Sequence, residues 1–132
     1  MSQDLSVLDI TFKAAEDLSL YQYHFVKLDA DGKVEHCTAS TDTIIGILMN
    51  APDAEDKAAR VRVLGTGKLV MSGTCNEGDF LTASDQEVSY SEGLATTTNV
   101  DFVGGIALEN ATLADDIIEV LIVHFLYNAF VG

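Results

Sequence analysis

The 132-residue sequence predicts an all-β fold, a small barrel or sandwich built from two related β-units behind an extended N-terminal arm. Three observations predict it. Apolar or alternating stretches of about four to seven residues recur roughly every ten residues between turn signals, and none holds a helical stripe. A plan laid out in residues 25–64 returns more faintly in residues 80–122. The chain is also of the usual length for one domain, enough to bury about two-thirds of its unfolded surface in a single core.

In each unit an apolar lead-in precedes a short hairpin, residues 27–36 in one and 82–90 in the other, and a Ser/Thr-rich link follows. A glycine-led apolar strand comes next, Gly46-Ile47-Leu48-Met49 against Gly105-Ile106-Ala107-Leu108. An acidic, Ala-rich loop and a β-rich strand close each copy, with Val61-Arg62-Val63-Leu64 set against Ile118-Glu119-Val120-Leu121. Two copies are too few for a solenoid, which needs at least about three, so the pair shares one core.

Residues 1–20 form the arm and residues 21–132 a single β-domain. Leu5, Val7, Leu8, Ile10 and Phe12 neither alternate cleanly nor keep a helical spacing, while Thr11 and Phe12 favour strand. The arm either docks on a neighbouring subunit or lies as an edge strand of its own domain. From Tyr21 alternation is legible, with Tyr21, Tyr23 and Phe25 on one face. Asp29-Ala30-Asp31-Gly32-Lys33 is a hairpin turn in which glycine takes the left-handed position and aspartate accepts from nearby amides. A calcium loop would need a glutamate at its end and flanking helices, and both are missing. The run from Ile44 to Met49 suits a strand covered on both faces, and Gly46 inside it marks a bulge or a close backbone approach. Pro52 ends that strand. Arg60 and Arg62 then alternate with Val61 and Val63, leaving one wet face. Gly65-Thr66-Gly67-Lys68 lacks the first glycine and the final Ser/Thr of a phosphate loop and has strands on both sides, so it is a bulge or turn.

The net charge of −14 is unevenly spread: eleven acidic and seven basic residues lie in residues 1–68, ten acidic and none basic after them. Such a surface cannot neutralise phosphates, which excludes nucleic acid as a partner and disfavours an anionic membrane. The longest apolar run, near residues 117–131, is broken by Glu119, His124 and Asn128 and is shorter than a membrane helix needs. The first twenty residues carry four acids and no basic-then-apolar signal, so the chain is expected to be made and used from the cytoplasm. Cys37 and Cys75 are expected to be reduced structural thiols.

No catalytic constellation emerges. No serine sits in a nucleophile elbow. His36 and Cys37 are adjacent, which in a strand sends them to opposite faces. His24, His36 and His124 show no metal-ligand spacing, and the carboxylates fall in turns or on wet faces. The sequence thus points to no enzyme, no metal and no cofactor.

The clearest signal outside the core is the tail, where Phe125, Leu126, Tyr127, Phe130 and Val131 follow the end of the second unit. Burying them is worth on the order of 1.5 to 3 kcal/mol each in gross transfer free energy, comparable in sum with the 4 to 15 kcal/mol that immobilising a partner costs. The tail either completes its own barrel or, with Leu5, Val7, Leu8, Ile10 and Phe12 of the arm, shelters against other copies.

Phe25-Val26-Lys27-Leu28-Asp29-Ala30-Asp31-Gly32-Lys33-Val34, Ile45-Gly46-Ile47-Leu48, Gly78-Asp79-Phe80-Leu81-Thr82, Val103-Gly104-Gly105-Ile106-Ala107-Leu108 and Asp116-Ile117-Ile118-Glu119-Val120-Leu121 occur in that order. Together they resemble the capsid decoration, or structural cement, proteins of tailed bacteriophages. The resemblance spans about residues 25–123 and implies a small β-domain, often trimeric, that binds the outer surface of the major capsid protein lattice on the virion and braces it. The leader and the aromatic tail lie outside the shared pattern. A second reading from the residues is a ligand-binding β-module with a pocket between the two units.

Overall fold

The computed structural model describes residues 7–98 and 100–127. Strands β1 (Leu8–Lys13), β2 (Phe25–Leu28), β3 (Val34–His36), β4 (Gly46–Leu48) and β5 (Ala58–Leu64) make one antiparallel sheet in the order β1-β5-β4-β2-β3. Strands β6 (Thr66–Val70), β7 (Phe80–Ala83), β8 (Gly93–Ala95), β9 (Phe102–Ala107) and β10 (Ile117–Leu126) make the second in the order β6-β10-β9-β7-β8. Each label in the second order is five above its counterpart in the first. The fold is all-β, two sheets packed as a sandwich, and the same strand order appears in both, in units that start at β1 and β6, earlier than the expected starts at residues 25 and 80. Gly65, at φ 99°, is the single residue that carries the chain from β5 in one sheet to β6 in the other. Glycine meets no Cβ penalty there.

Backbone hydrogen bonds outside the ladders repeat in pairs. Ala15 N–H donates to the Val34 carbonyl at 2.8 Å and Ser72 N–H to that of Gly93 at 2.9 Å. Asp56 N–H donates to Ala14, and Asp115 N–H to Met71, each at 2.7 Å. Both aspartates have positive φ, 69° and 71°. Leu18 to Pro52 matches Cys75 to Ala111, and Met49 to Arg60 matches Leu108 to Glu119. The parallel bridges Ala14↔Val34 and Met71↔Gly93 tie the end of each unit's first strand to its third, curling each sheet until its two edges meet.

Two expectations shift accordingly. The matching bonds set Val61 against Val120, two residues later than the sequence alignment of the closing strands. In the second unit the return arm of the hairpin is β8, because residues 87–89, expected to be part of that arm, form a 3-10 turn. Residues 8–13 of the expected arm are extended and pair along β5 from Leu8↔Leu64 to Lys13↔Ala58, so of its two placements the edge strand is the one observed. β1 is thereby the counterpart of β6.

The first unit has an apolar interior of its own, Leu18, Val26, Val34, Leu48, Ala59 and Val61, all fully buried, with Phe12 packed against it. A larger cluster joins Phe25, Ile44 and Ile47 of the first unit to Leu69, Met71, Leu81, Val120 and Ile122 of the second. Cys37 and Cys75 both belong to it and are free thiols, each pushed up in pKa by burial.

Candidate interaction interface

Register defines one cross-strand row on each sheet. On the first it is Phe25↔Ile47↔Arg62↔Asp9, on the second Phe80↔Ile106↔Leu121↔Thr66. These are equivalent positions with opposite fates. Phe25 and Ile47 are fully buried. The second unit covers them through glycines: a Cβ on Gly104 would lie 2.9 Å from Phe25 Cε1, and one on Gly67 would lie 3.6 Å from Ile47 Cδ1. Arg62 continues the same contact, donating through Nη1 to the Thr66 carbonyl at 3.3 Å while Nε and Nη2 grip Asp9 at 2.8 and 3.2 Å. That grip holds the Asp9 carboxyl below its usual value.

On the second sheet nothing among the described residues closes the row. Phe80 is 36% exposed, Leu121 39% and Phe125 37%. Phe80 meets Phe125 and Tyr127 edge to face, with centroids 5.3 and 5.9 Å apart. Beside them lies a shallow cleft of about 300 Å³ lined by Phe80, Ala95, Thr96 and Tyr127. On the first sheet's edge, Val7 and, in β1, Leu8 and Ile10 are exposed at 44%, 47% and 39%.

Of the residues singled out in the sequence, Val7, Leu8, Ile10, Phe125 and Leu126 are exposed, and Tyr127 is half-buried on Phe80. Phe12 is half-buried and packs against the first unit's interior, opposite Ala59. Leu5, Phe130 and Val131 lie outside the described residues. One group lies on the first edge strand and the other around β10. Sequence reasoning named Phe80, Ile106 and Leu121 only as parts of strands and did not single them out as surface. Their alignment with Phe25 and Ile47 was the available signal.

Titratable groups collect where the units touch. His24 Nδ1 lies 2.7 Å from Ser91 Oγ and 3.2 Å from the Tyr90 carbonyl, and burial holds its pKa below the ordinary value. Ser91 Oγ donates to its neighbour's carbonyl and is fully buried, so the His24–Ser91 contact ties the two units together. Tyr21 stacks on His36 at 4.1 Å, and Glu16 accepts from His36 Nδ1 at 2.7 Å. His124 spans from β10 to the Ile44 and Val63 carbonyls at 3.1 and 3.0 Å. Glu92 is driven up to about 7 by burial and by the hydrogen bond and charge of Asp115. Its counterpart is Lys33, which forms a 2.9 Å ion pair with Asp56, the counterpart of Asp115. Tyr21, His24, Tyr90, Glu92 and Asp115 line a cleft of about 360 Å³ between the units. Among the described residues no three His, Cys, Asp or Glu side chains are placed to hold a metal, and no helix is long and apolar enough to cross a membrane.

No protein-family model and no curated protein matches the sequence. Among solved structures, the N base of the head fiber gp8.5 in bacteriophage phi29 superposes with a TM-score of 0.64. It covers 89% of this chain and 95% of that one at 17% identity, and so shares the fold.

Proposed function

We propose that this chain is a structural protein of a tailed-phage head, a decoration or cement protein that binds the outer surface of the major capsid lattice as a homo-oligomer, with a trimer favoured. The observation that carries the reading is the pair of open apolar faces, the Phe80 row and the exposed flank of β1, on a fold shared with the base of a phage head fiber. The order of the capsid-decoration motifs in the sequence adds to it. Such a protein works by mass action: ligand that binds the mature lattice and not its loosened form stabilises every occupied site. It would be made in the host cytoplasm and end on the virion surface, without a cofactor and without catalysis.

The test is sedimentation with phage heads stripped of this protein. Binding should saturate at a fixed number of copies per head and raise the temperature at which heads open. Chain left in the supernatant at every concentration overturns the reading.

The ligand-module alternative has one observation in its favour, the inter-unit cleft lined by Tyr21, His24 and Glu92. Its wall is polar and includes exposed Asp115, unlike the mostly apolar lining of small-molecule sites. A ligand that raises the melting temperature in wild type and not in Tyr90→Ala would favour it.

A further inference from the structure

At one place the two units exchange charge. Asp56 and Asp115 are equivalent, since their N–H groups donate to the equivalent carbonyls of Ala14 and Met71. Two cations attend Asp56: Lys33 Nζ lies 2.9 Å from it and 3.1 Å from Glu55, and Lys13 adds its charge. Lys13 and Lys33 each precede a residue of the bridge Ala14↔Val34, as Val70 and Glu92 precede those of Met71↔Gly93. Val70 therefore stands for Lys13 and Glu92 for Lys33, so that Asp115 has lost both cations and gained a second carboxyl. Among the described residues no Lys or Arg forms an ion pair with Asp115 or Glu92. None of the seven in the chain lies beyond Lys68.

The place left by those lysines is open. Val70, Glu92 and Asp115 line the cleft of about 360 Å³ between the units, with Tyr21 and Tyr90 among its other walls. Glu92 is only 7% exposed, and the one group that bonds its carboxyl is another carboxyl, that of Asp115. A buried carboxylate with neither a cation nor a donor is costly.

We propose that this cleft receives the ammonium head of a lysine side chain from a partner protein, held between Glu92 and Asp115 as Lys33 is held on Asp56 within the first unit. The proposal rests on the reading that the chain docks on another protein, and it adds the chemistry of one contact. Tyr21 and Tyr90 supply the aromatic surface that favours a cation, and Val70 gives the aliphatic stem an apolar wall. Leu20 and Val88 also border the cleft, 82% and 97% exposed. A free amine in the cleft leaves both in water, whereas a polypeptide carrying the lysine covers them. The groups facing Glu92 across the cleft are Glu87, Asp115, Tyr21, Tyr90 and His24, with His36 stacked behind Tyr21 and bonded to Glu16. Burial holds His24 below its ordinary pKa and Tyr21 above its own, so neither is charged near neutral pH. Glu92 gives up its proton at about 7. An arriving ammonium displaces that proton and is held more tightly as pH rises.

The isotope-labelled full-length chain is titrated by NMR with a capped leucyl-lysyl-leucine peptide, its norleucine analogue and n-butylammonium. The lysine peptide should shift the amides of Tyr21, Val70, Tyr90 and Glu92 saturably, and the norleucine peptide should not. Affinity should rise between about pH 6 and 8. It should fall at least about tenfold in Asp115→Asn, and likewise in Glu92→Lys, which fills the site with its own cation. Glu77→Gln, which removes one charge away from the cleft, should bind as wild type does. Asp115 is exposed, so its variant folds, and circular dichroism checks both. Shifts spread over the acidic surface, or equal affinity in all three variants, overturn the proposal. So does n-butylammonium binding as tightly as the peptide, which makes the occupant a free amine, or calcium saturating the same amides at lower concentration. A chain that takes the peptide yet stays off phage heads sinks the capsid reading alone. Heads that take up wild type and Glu92→Lys equally sink this contact alone.

Discussion

The rows Phe25–Ile47 and Phe80–Ile106 occupy the same place in two copies of one unit, yet the first is core and the second is surface. Sequence and backbone are alike at these positions; only what lies on top differs. The chain tolerates a buried row where the neighbouring sheet offers glycines at 67 and 104, and it leaves the equivalent row apolar where no neighbour is supplied. Gly46 and Gly105 sharpen the contrast. A Cβ on Gly46 would overlap the Arg62 carbonyl oxygen, a backbone atom that cannot step aside, whereas at Gly105 the nearest atom, the Leu121 carbonyl oxygen, stands at 3.5 Å. Gly46→Ala should therefore lose about 1 to 3 kcal/mol or more in denaturant unfolding, and Gly105→Ala less than about 1. Equal losses would show the two units to be more alike than their packing implies. Phe25→Ala should similarly cost about 3 to 5 kcal/mol, against about 1 or less for Phe80→Ala measured on the monomer.

A second contrast lies at Lys33–Asp56 and Glu92–Asp115. The first unit pairs opposite charges there, and the second places two carboxyls together. Folded Glu92 keeps its proton to about pH 7, while an unfolded glutamate releases it near pH 4.3. Across that window the native state binds more protons, so this group's contribution to stability is full at low pH and is lost as pH rises through 7. Glu92→Gln should flatten that decline and make the protein about 1 to 2 kcal/mol more stable than wild type at pH 8, a figure reduced from the full shift because Asp115 is exposed. Glu92→Lys, which copies the first unit, should flatten it as well. A pH profile identical to wild type for both variants would dissolve the contrast.

How much of this was legible follows from what each residue's chemistry constrains locally. The hairpin turn was, because Asp29 Oδ1 takes the N–H groups of Asp31 and Lys33, both at 2.9 Å, and Gly32 sits at φ 76°. Gly46 was, because an interior strand glycine has few reasons to exist. The equivalence of β1 with β6 was not: Leu8–Lys13 and Thr66–Val70 share no side-chain pattern, and only hydrogen bonds to their units reveal it. The true return arm β8 was hidden behind a Ser-rich stretch that spends its residues on a 3-10 turn. Val7, Leu8, Ile10 and Phe125 stood out as apolar residues outside the repeated units, while the choice between covering their own domain and facing outward stayed open in the sequence. Phe80, Ile106 and Leu121 did not stand out, because an apolar residue in a mid-chain strand reads as core whichever sheet face it occupies, and its exposure depends on a neighbour the local sequence does not encode.

The smallest expected effect tests the polar end of the same rows. Asp9 and Arg62 close the first unit's row with a bidentate pair, side chains 21% and 22% exposed, where the second unit has Thr66 and Leu121. A half-solvated pair of this kind contributes only about 0.5 to 1 kcal/mol. Asp9→Asn should lose that much at pH 7 and low salt, and less in 1 M salt, where screening acts over about 3 Å. Its carboxyl is held below the ordinary range chiefly by the hydrogen bond from Arg62, so the contribution is present above the unfolded value near 4 and disappears as pH falls below it. Wild type and Asp9→Asn should therefore converge in acid. A loss of several kcal/mol that persists at pH 2 would mean that Asp9 anchors β1 through its shape and not its charge, and the edge strand would then depend on this residue more than on its ladder to β5.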